Sequence, residues 1–455
     1  MSGNKRETFG SHFAVVMAMA GSAIGLGNIW RFPTLVGQYG GAAFVLLYLV
    51  FSFLLALPIF YCEAIIGRRS RANAFGAFRK LDPKGHWHWL GLITVVAPLL
   101  ILSYYNVVGG WSAQYLFKSL AGDFVGREEA LVTGYFGQFI SSAWAPLLVH
   151  AIFAGAVALI VVSGVKSGIE KFTKWTMPML FVLILAIVVY SVCLPGAGAG
   201  VSYLVRPDLS KLSGSAVASA MGQAFFSLSL GMGTILTYSS YMKRQDNIAG
   251  TGFSTALADM LFALLAAFAV MPAVFAGGLE PGSGPGLIFE SLPLIFNRMG
   301  AGLPLVSTVV AILFFFSVLM AALTSAISLL EVGVAYMSEE TRLSRKQSTW
   351  LLSGLVWLLG IVWSLSFGPL ADVQVFGMSL FDAIDYTCSN ILMPIGGLVF
   401  VLFVGWKMPA PDVYDEYTNG GTLRFNSRIY PAFRFLVRYI APVGIALVAL
   451  TPYLF

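Results

Sequence analysis

The chain reads as a succession of apolar runs separated by short polar stretches, each run close to the ~20 residues that a helix needs to cross a hydrocarbon core. Eleven runs stand out, over residues 12–36, 41–67, 90–118, 146–163, 168–194, 215–242, 250–277, 302–337, 347–367, 376–405 and 430–454. Two of them carry the same kind of polar, glycine-rich interruption, Ser22-Ala23-Ile24-Gly25-Leu26-Gly27-Asn28 and Ser227-Leu228-Ser229-Leu230-Gly231-Met232-Gly233. A membrane helix that unwinds there leaves amides, carbonyls and hydroxyls bare where lipid offers no partner, so a solute or ion must satisfy them. Broken helices at corresponding positions of two halves point to a transporter's binding site.

Gly25 and Gly231 lie 206 residues apart, with about five runs in each half and one left over. Five crossings are an odd number, so a second copy starts on the opposite side of the membrane and the two copies are inverted. The expected fold is therefore all-α and integral to the membrane: an inverted five-plus-five repeat with helices 1 and 6 broken and eleven transmembrane helices in total. Residues 1–455 form one transporter domain in this reading, with repeat one over about 10–195, repeat two over about 214–406 and an extra helix over about 430–454. Gly-x-Gly by itself serves close helix packing, but packing needs neither the buried Asn28 nor Arg31 that accompany the first interruption.

Composition agrees: 58% of residues are hydrophobic and 11% charged, against about 25% charged in soluble domains. The first run continues to Arg31 without a small-residue cleavage site, so it is expected to stay as a membrane helix. Lys and Arg concentrate on one set of loops, among them Arg68, Arg69, Arg71, Lys166, Lys243, Arg345 and Lys407. By the positive-inside bias this places the N-terminus in the cytoplasm and, with an odd helix count, the C-terminus outside. Short loops and brief tails suit a bacterial inner (cell) membrane. The net charge of +6 then meets anionic lipid headgroups of the bilayer, and scattered basic loops give no footing for nucleic acid. Cys62, Cys193 and Cys388 sit in apolar runs and read as small core residues, while His12, His86, His88 and His150 have no metal-ligand spacing. No nucleotide-binding Gly-Lys-Ser loop, His-Glu metal motif or catalytic cysteine signature appears, so no enzyme activity and no cofactor are expected. Inside the runs lie Arg31, Glu63, Asp259, Glu331 and Asp385, each costly enough at depth to require a partner or a wet cavity. The opposite charges Arg31 and Asp385, near the outer ends of helices 1 and 10, suggest a pair.

These residues resemble the neurotransmitter:sodium symporter family. Gly25-Leu26-Gly27-Asn28-Ile29-Trp30-Arg31-Phe32-Pro33 matches its helix 1 signature, Gly40-Gly41-Ala42-Ala43-Phe44 follows, and Gln223-Ala224-Phe225-Phe226-Ser227-Leu228-Ser229 fits helix 6. Gly168-Ile169-Glu170-Lys171-Phe172 and Leu323-Thr324-Ser325 fit helices 5 and 8, although the twelfth helix of many relatives is absent.

The resemblance implies sodium-coupled import of hydrophobic, aliphatic to aromatic L-amino acids by alternating access. The substrate carboxylate is expected at the amides of Leu26 and Gly27 with the Tyr105 hydroxyl, since freed helix-end amides favour anions. Its ammonium faces the carbonyls of Ala23, Phe226 and Ser227 and the Ser229 hydroxyl. Ile101, Tyr105, Phe226, Met232, Ser325 and Leu329 line the side-chain pocket, with the adaptable Met232 favouring a broad range. Gly25 stands where monoamine carriers of the family place Asp, which favours a substrate that brings its own carboxylate.

Two sodium ions, hard cations that want oxygen, are the implied co-transported ligands. The first site takes Ala23, Asn28, Ser227 and the substrate carboxylate, with Asp259 in place of the Asn ligand lost at Ala258. The second takes Gly21, Ile24, Ala321, Thr324 and Ser325. Asp259 also lies one turn from Phe262, the position of a buried Glu in a leucine-transporting relative. It is expected to replace the chloride that animal relatives need and to take up a proton when the ions leave. Arg31 with Asp385 and Gln223 resemble the outer gate, Arg6 with Glu339 and Tyr241 the inner latch, and Gly168 with Pro178 a helix 5 unwinding motif beside an ordinary proline kink. A monomer suffices for this cycle, and a dimer is compatible with it. The competing readings are a channel or a non-transporting amino-acid sensor on the same fold.

Overall fold

The computed structural model describes residues 7–279, 287–300 and 302–454. In chain order its elements are α1 (His12–Ala23), α2 (Gly27–Gln38), α3 (Ala42–Ser70), α4 (Ala74–Leu81), α5 (Trp87–Leu120), α6 (Glu129–Ser141) and α7 (Ala145–Val162). There follow α8 (Val165–Val192), α9 (Ala197–Val205), α10 (Gly214–Ser227), α11 (Thr234–Ser239), α12 (Ile248–Ala276), α13 (Leu292–Gly300) and α14 (Pro304–Glu340). The last are α15 (Arg345–Leu365), a hairpin of β1 (Gln374–Val375) and β2 (Met378–Ser379), α16 (Leu380–Lys407), α17 (Ala410–Thr418) and α18 (Arg424–Leu450).

Among the described residues nine helices are long and apolar enough to span a membrane, and α1 with α2, bent by 55° at their break, brings the count to ten. The remaining run, 215–242, is two short helices, α10 and α11, with neither long enough to cross alone. Five shorter helices between the runs, α4, α6, α9, α13 and α17, escaped the hydropathy reading because none is long enough to read as an apolar run that crosses a bilayer.

The longest helices pack on one another, α14 along α5 and α12 along α8, while the broken α1 is surrounded by α8, α12 and α14. Outward faces remain apolar, with Trp144, Leu148, Trp175 and Val182 exposed. Such an exterior is costly in water and suited to lipid. Cys62 and Cys388 are buried as expected, but Cys193 is exposed, because α8 ends at Val192 and leaves it in the following turn.

Candidate functional site

Both interruptions are breaks in the helices. After Ala23 the backbone turns extended at Ile24 (ψ 108°) and regains helical form at Gly27. Between α10 and α11, Ser229, Gly231 and Gly233 take φ of 54°, 79° and 66°, the left-handed region that strains a residue with a Cβ. Gly231 is required for a second reason: a Cβ there would lie 2.1 Å from the Met393 carbonyl. The two breaks hold each other, since Ser229 Oγ donates to the Ser22 carbonyl at 2.8 Å. Glu63, on α3, holds the second from behind by accepting the amides of Gly231 at 2.7 Å and Leu236 at 3.4 Å. That satisfies helix-end donors which no intrahelical carbonyl reaches.

The breaks open on a cavity. Its walls include Ser22, Ala23, Gly25, Leu26 and Gly27 from the first break, and Phe226, Ser227, Ser229 and Met232 from the second. Ile101 and Tyr105 on α5 and Ser325 and Leu329 on α14 complete it. The structure thus brings together every side-chain and backbone group that the sequence assigned to the amino acid, and adds Ser22. Tyr105 accepts the Leu26 amide at 3.2 Å. Gly25 leaves no room: a Cβ would sit 2.4 Å from Ser325 Oγ and 2.9 Å from the Tyr105 hydroxyl.

Beside the cavity, Asp259 is fully buried. Its carboxylate accepts from Asn28 Nδ2 at 2.7 Å, Ser227 Oγ at 2.7 Å and the Tyr48 hydroxyl at 3.1 Å. Tyr48 was missed by the sequence reading, because an aromatic residue inside an apolar run carries no local sign of a carboxylate 211 positions away. On the other side, Ser325 Oγ donates towards the carbonyls of Gly21, Ser22 and Ile24 at 3.2–3.4 Å, and Thr324 Oγ1 towards those of Ala321 at 2.9 Å and Ile24 at 3.4 Å. The groups expected at the second sodium, the carbonyls of Gly21, Ile24 and Ala321 and the hydroxyls of Thr324 and Ser325, are thus neighbours, with the Ser22 carbonyl beside them.

A wider cavity lies above the first, and the two share Leu26, Gly27, Tyr105 and Phe226 as a waist. Arg31 and Asp385 both line the upper cavity, together with Trp30, Tyr104 and Phe381. They form no ion pair among the described residues, contrary to the expected pairing. Arg31 instead places its guanidinium 4.8 Å from the Phe226 ring centroid, and Asp385 accepts from Ser389 Oγ at 3.2 Å. The cavity between them separates the charges. Gln223 Nε2 donates to the Gly27 carbonyl at 3.3 Å.

The expected inner latch of Arg6 with Glu339, near Tyr241, lies on the face that carries residue 7. Arg6 lies outside the described residues. Glu339 accepts from the Asn73 amide at 2.9 Å and Nδ2 at 3.0 Å, whereas Tyr241 donates to Glu331 at 2.7 Å. Glu331 is fully buried and paired with Arg345 at 2.5 Å. Helix α8 stays wound through Pro178, with no unwinding at Gly168, which sits in its wide first turn over 165–170.

The model of the sodium:neurotransmitter symporter family matches residues 6–128 and 136–452. The chain belongs to this family. An uncharacterized sodium-dependent transporter of Bacillus subtilis is 38% identical over 450 residues, covering 99% of the chain and 98% of that protein. One of Haemophilus influenzae is 34% identical over 415 residues, 89% of the chain and 90% of its own length. The crystal structure of MhsT in complex with L-phenylalanine is similar at a TM-score of 0.90 and 41% identity, over 98% of this chain and 99% of that one. The symporter family consists of multi-pass membrane transporters, and this member is a sodium-dependent one.

Proposed function

We propose that the protein imports hydrophobic L-amino acids, aromatic ones included, by sodium-coupled alternating access, with its N-terminus in the cytoplasm of a bacterial cell. The observation that carries this reading is the cavity between the two helix breaks. Its polar groups are backbone amides, carbonyls and hydroxyls gathered at one end, its walls elsewhere are apolar, and among the described residues no carboxylate lines it. A zwitterion supplies the missing negative charge, its carboxylate at the Leu26 and Gly27 amides and its apolar side chain against Ile101, Met232 and Leu329. A decarboxylated amine does not. The similarity to a protein that binds L-phenylalanine supports the upper end of the size range.

In the mechanism, one sodium sits among Ala23, Asn28, Ser227 and Asp259, and the other among Gly21, Ile24, Ala321, Thr324 and Ser325. The hydroxyls that donate to neighbouring carbonyls turn their lone pairs to the ion, so ion binding draws α1 and α14 together. Tyr105 and Phe226 close the waist over the substrate, Arg31 approaches Asp385, and Gln223 bridges the two broken helices beneath them. Release requires the latch around Tyr241 and Glu339 to part on the opposite face. The two halves, inverted about an axis in the membrane plane, account for both gates with one motion. Asp259 is a fixed charge beside the first ion, which makes transport independent of chloride. When the ion leaves, Asp259 takes a proton and carries it back.

Scintillation binding and proteoliposome uptake of labelled phenylalanine and leucine, with sodium replaced by potassium, test the proposal. Sodium-dependent accumulation is expected; binding without accumulation means a sensor, and sodium-independent flux means a channel. Asp259→Ser is expected to abolish uptake in chloride-free medium and to create a chloride requirement. Uptake that survives in chloride-free medium refutes the role given to Asp259. Wild-type uptake should alkalinise a pyranine-loaded lumen.

A further inference from the structure

Several basic side chains on the face bearing residue 7 are matched by carboxylates: Arg68 by Glu416 at 2.7 Å, Arg69 by Asp412 at 2.5 Å, Lys407 by Asp82 at 3.3 Å. Arg434 and Arg438, one turn apart on α18, are held instead by main-chain carbonyls. Arg434 donates to the Val404 carbonyl at 2.8 Å and the Gly405 carbonyl at 3.3 Å, and Arg438 Nε donates to the same Gly405 carbonyl at 2.8 Å. Neither makes an ion pair among the described residues, and the two terminal nitrogens of Arg438 have no protein partner there. Two whole cations thus converge on one carbonyl at the C-terminal end of α16. A helix end offers roughly half an elementary negative charge, so capping accounts for the contacts and leaves most of the charge unbalanced.

The surroundings indicate what balances it. Arg438 stands 5.6 Å from the Trp406 ring centroid, and Trp406 packs edge-on to Tyr439 at 6.2 Å. Trp406, Tyr439 and Phe435 are 60%, 51% and 55% exposed on the outside of the bundle. Exposed Trp and Tyr beside Arg, at the end of one apolar helix and within another, mark the level of lipid headgroups. Planar guanidinium groups bind phosphate oxygens in a forked, charge-assisted geometry. The geometry points to a headgroup site for an anionic phospholipid between α16 and α18, with the lipid phosphate bridging Arg434 and Arg438 and its first acyl carbons lying on Trp406 and Phe435. This site is independent of the transport reading.

The full-length protein in detergent tests it. Short-chain phosphatidylglycerol should raise the thermal midpoint by at least about 2 °C through preferential binding to the folded state, while the matched phosphatidylcholine and inorganic phosphate leave it unchanged. In Arg434→Gln/Arg438→Gln the increment should vanish. An equal rise in the double variant, or with phosphatidylcholine, overturns the site; an equal rise with inorganic phosphate overturns the lipid as its occupant. Should the double variant not fold, native mass spectrometry compares wild type with Arg438→Gln, which keeps the Arg434 contacts. A roughly tenfold loss of retained phosphatidylglycerol supports the proposal, and equal retention overturns it.

Discussion

A methyl group at residue 25 would meet Ser325 Oγ at 2.4 Å and the Tyr105 hydroxyl at 2.9 Å. Real side chains do not approach so closely, so Gly25→Ala must displace one hydroxyl or the other, and with it a proposed ligand of the second ion or the partner of the Leu26 amide. A loss of amino-acid affinity of at least about tenfold is expected by scintillation binding, equivalent to one charge-assisted hydrogen bond, with expression unaffected. Tyr48→Phe removes only an oxygen, one of three donors to Asp259. If that carboxylate holds sodium, losing the donor loosens its orientation without changing the cavity. The sodium concentration for half-maximal binding should rise about tenfold, whereas affinity for the amino acid at saturating sodium should hold.

At the scale of elements, the α10–α11 break depends on Glu63. Six residues without regular helical bonds would otherwise expose backbone donors in a dry interior, at about 1–3 kcal/mol for each unsatisfied group. Glu63→Ala orphans the amides of Gly231 and Leu236 together, and Glu63→Gln keeps one acceptor. Thermal melting in detergent should show a clear loss for Ala and a smaller one for Gln, and a reversed order would exclude this role. The breaks themselves were legible in the sequence, because glycine, serine and asparagine in an apolar run are local signals. Glu63 was legible only as a buried charge, since its partners lie 168 and 173 positions away.

At the scale of the molecule, Glu331, Arg345, Tyr241 and the Val161 carbonyl join α14, α15, the segment after α11 and α7. Arg345→Ala leaves a buried carboxylate without its cation, a change that costs about 3–5 kcal/mol. The expected outcome is a marked fall in thermal midpoint, with Glu331→Gln/Arg345→Ala partly recovering it because the orphaned charge is gone. The expected Arg31–Asp385 pair illustrates the opposite case. Two residues near the outer ends of helices 1 and 10 were expected to pair, yet they line one cavity without pairing, a separation that no spacing in the chain encodes.

The run lengths, the helix breaks and the basic asymmetry of the loops were decided by the sequence alone. They follow from local physics: apolar length against bilayer thickness, backbone groups that lipid does not solvate, and glycines free to take positive φ. Only the tertiary structure decided which polar groups meet. Tyr48 and Asn28 at Asp259, Tyr241 at Glu331, and two arginines at the Gly405 carbonyl are brought together by packing between helices distant in the chain, and a buried charge takes its partner from whatever that packing places within reach.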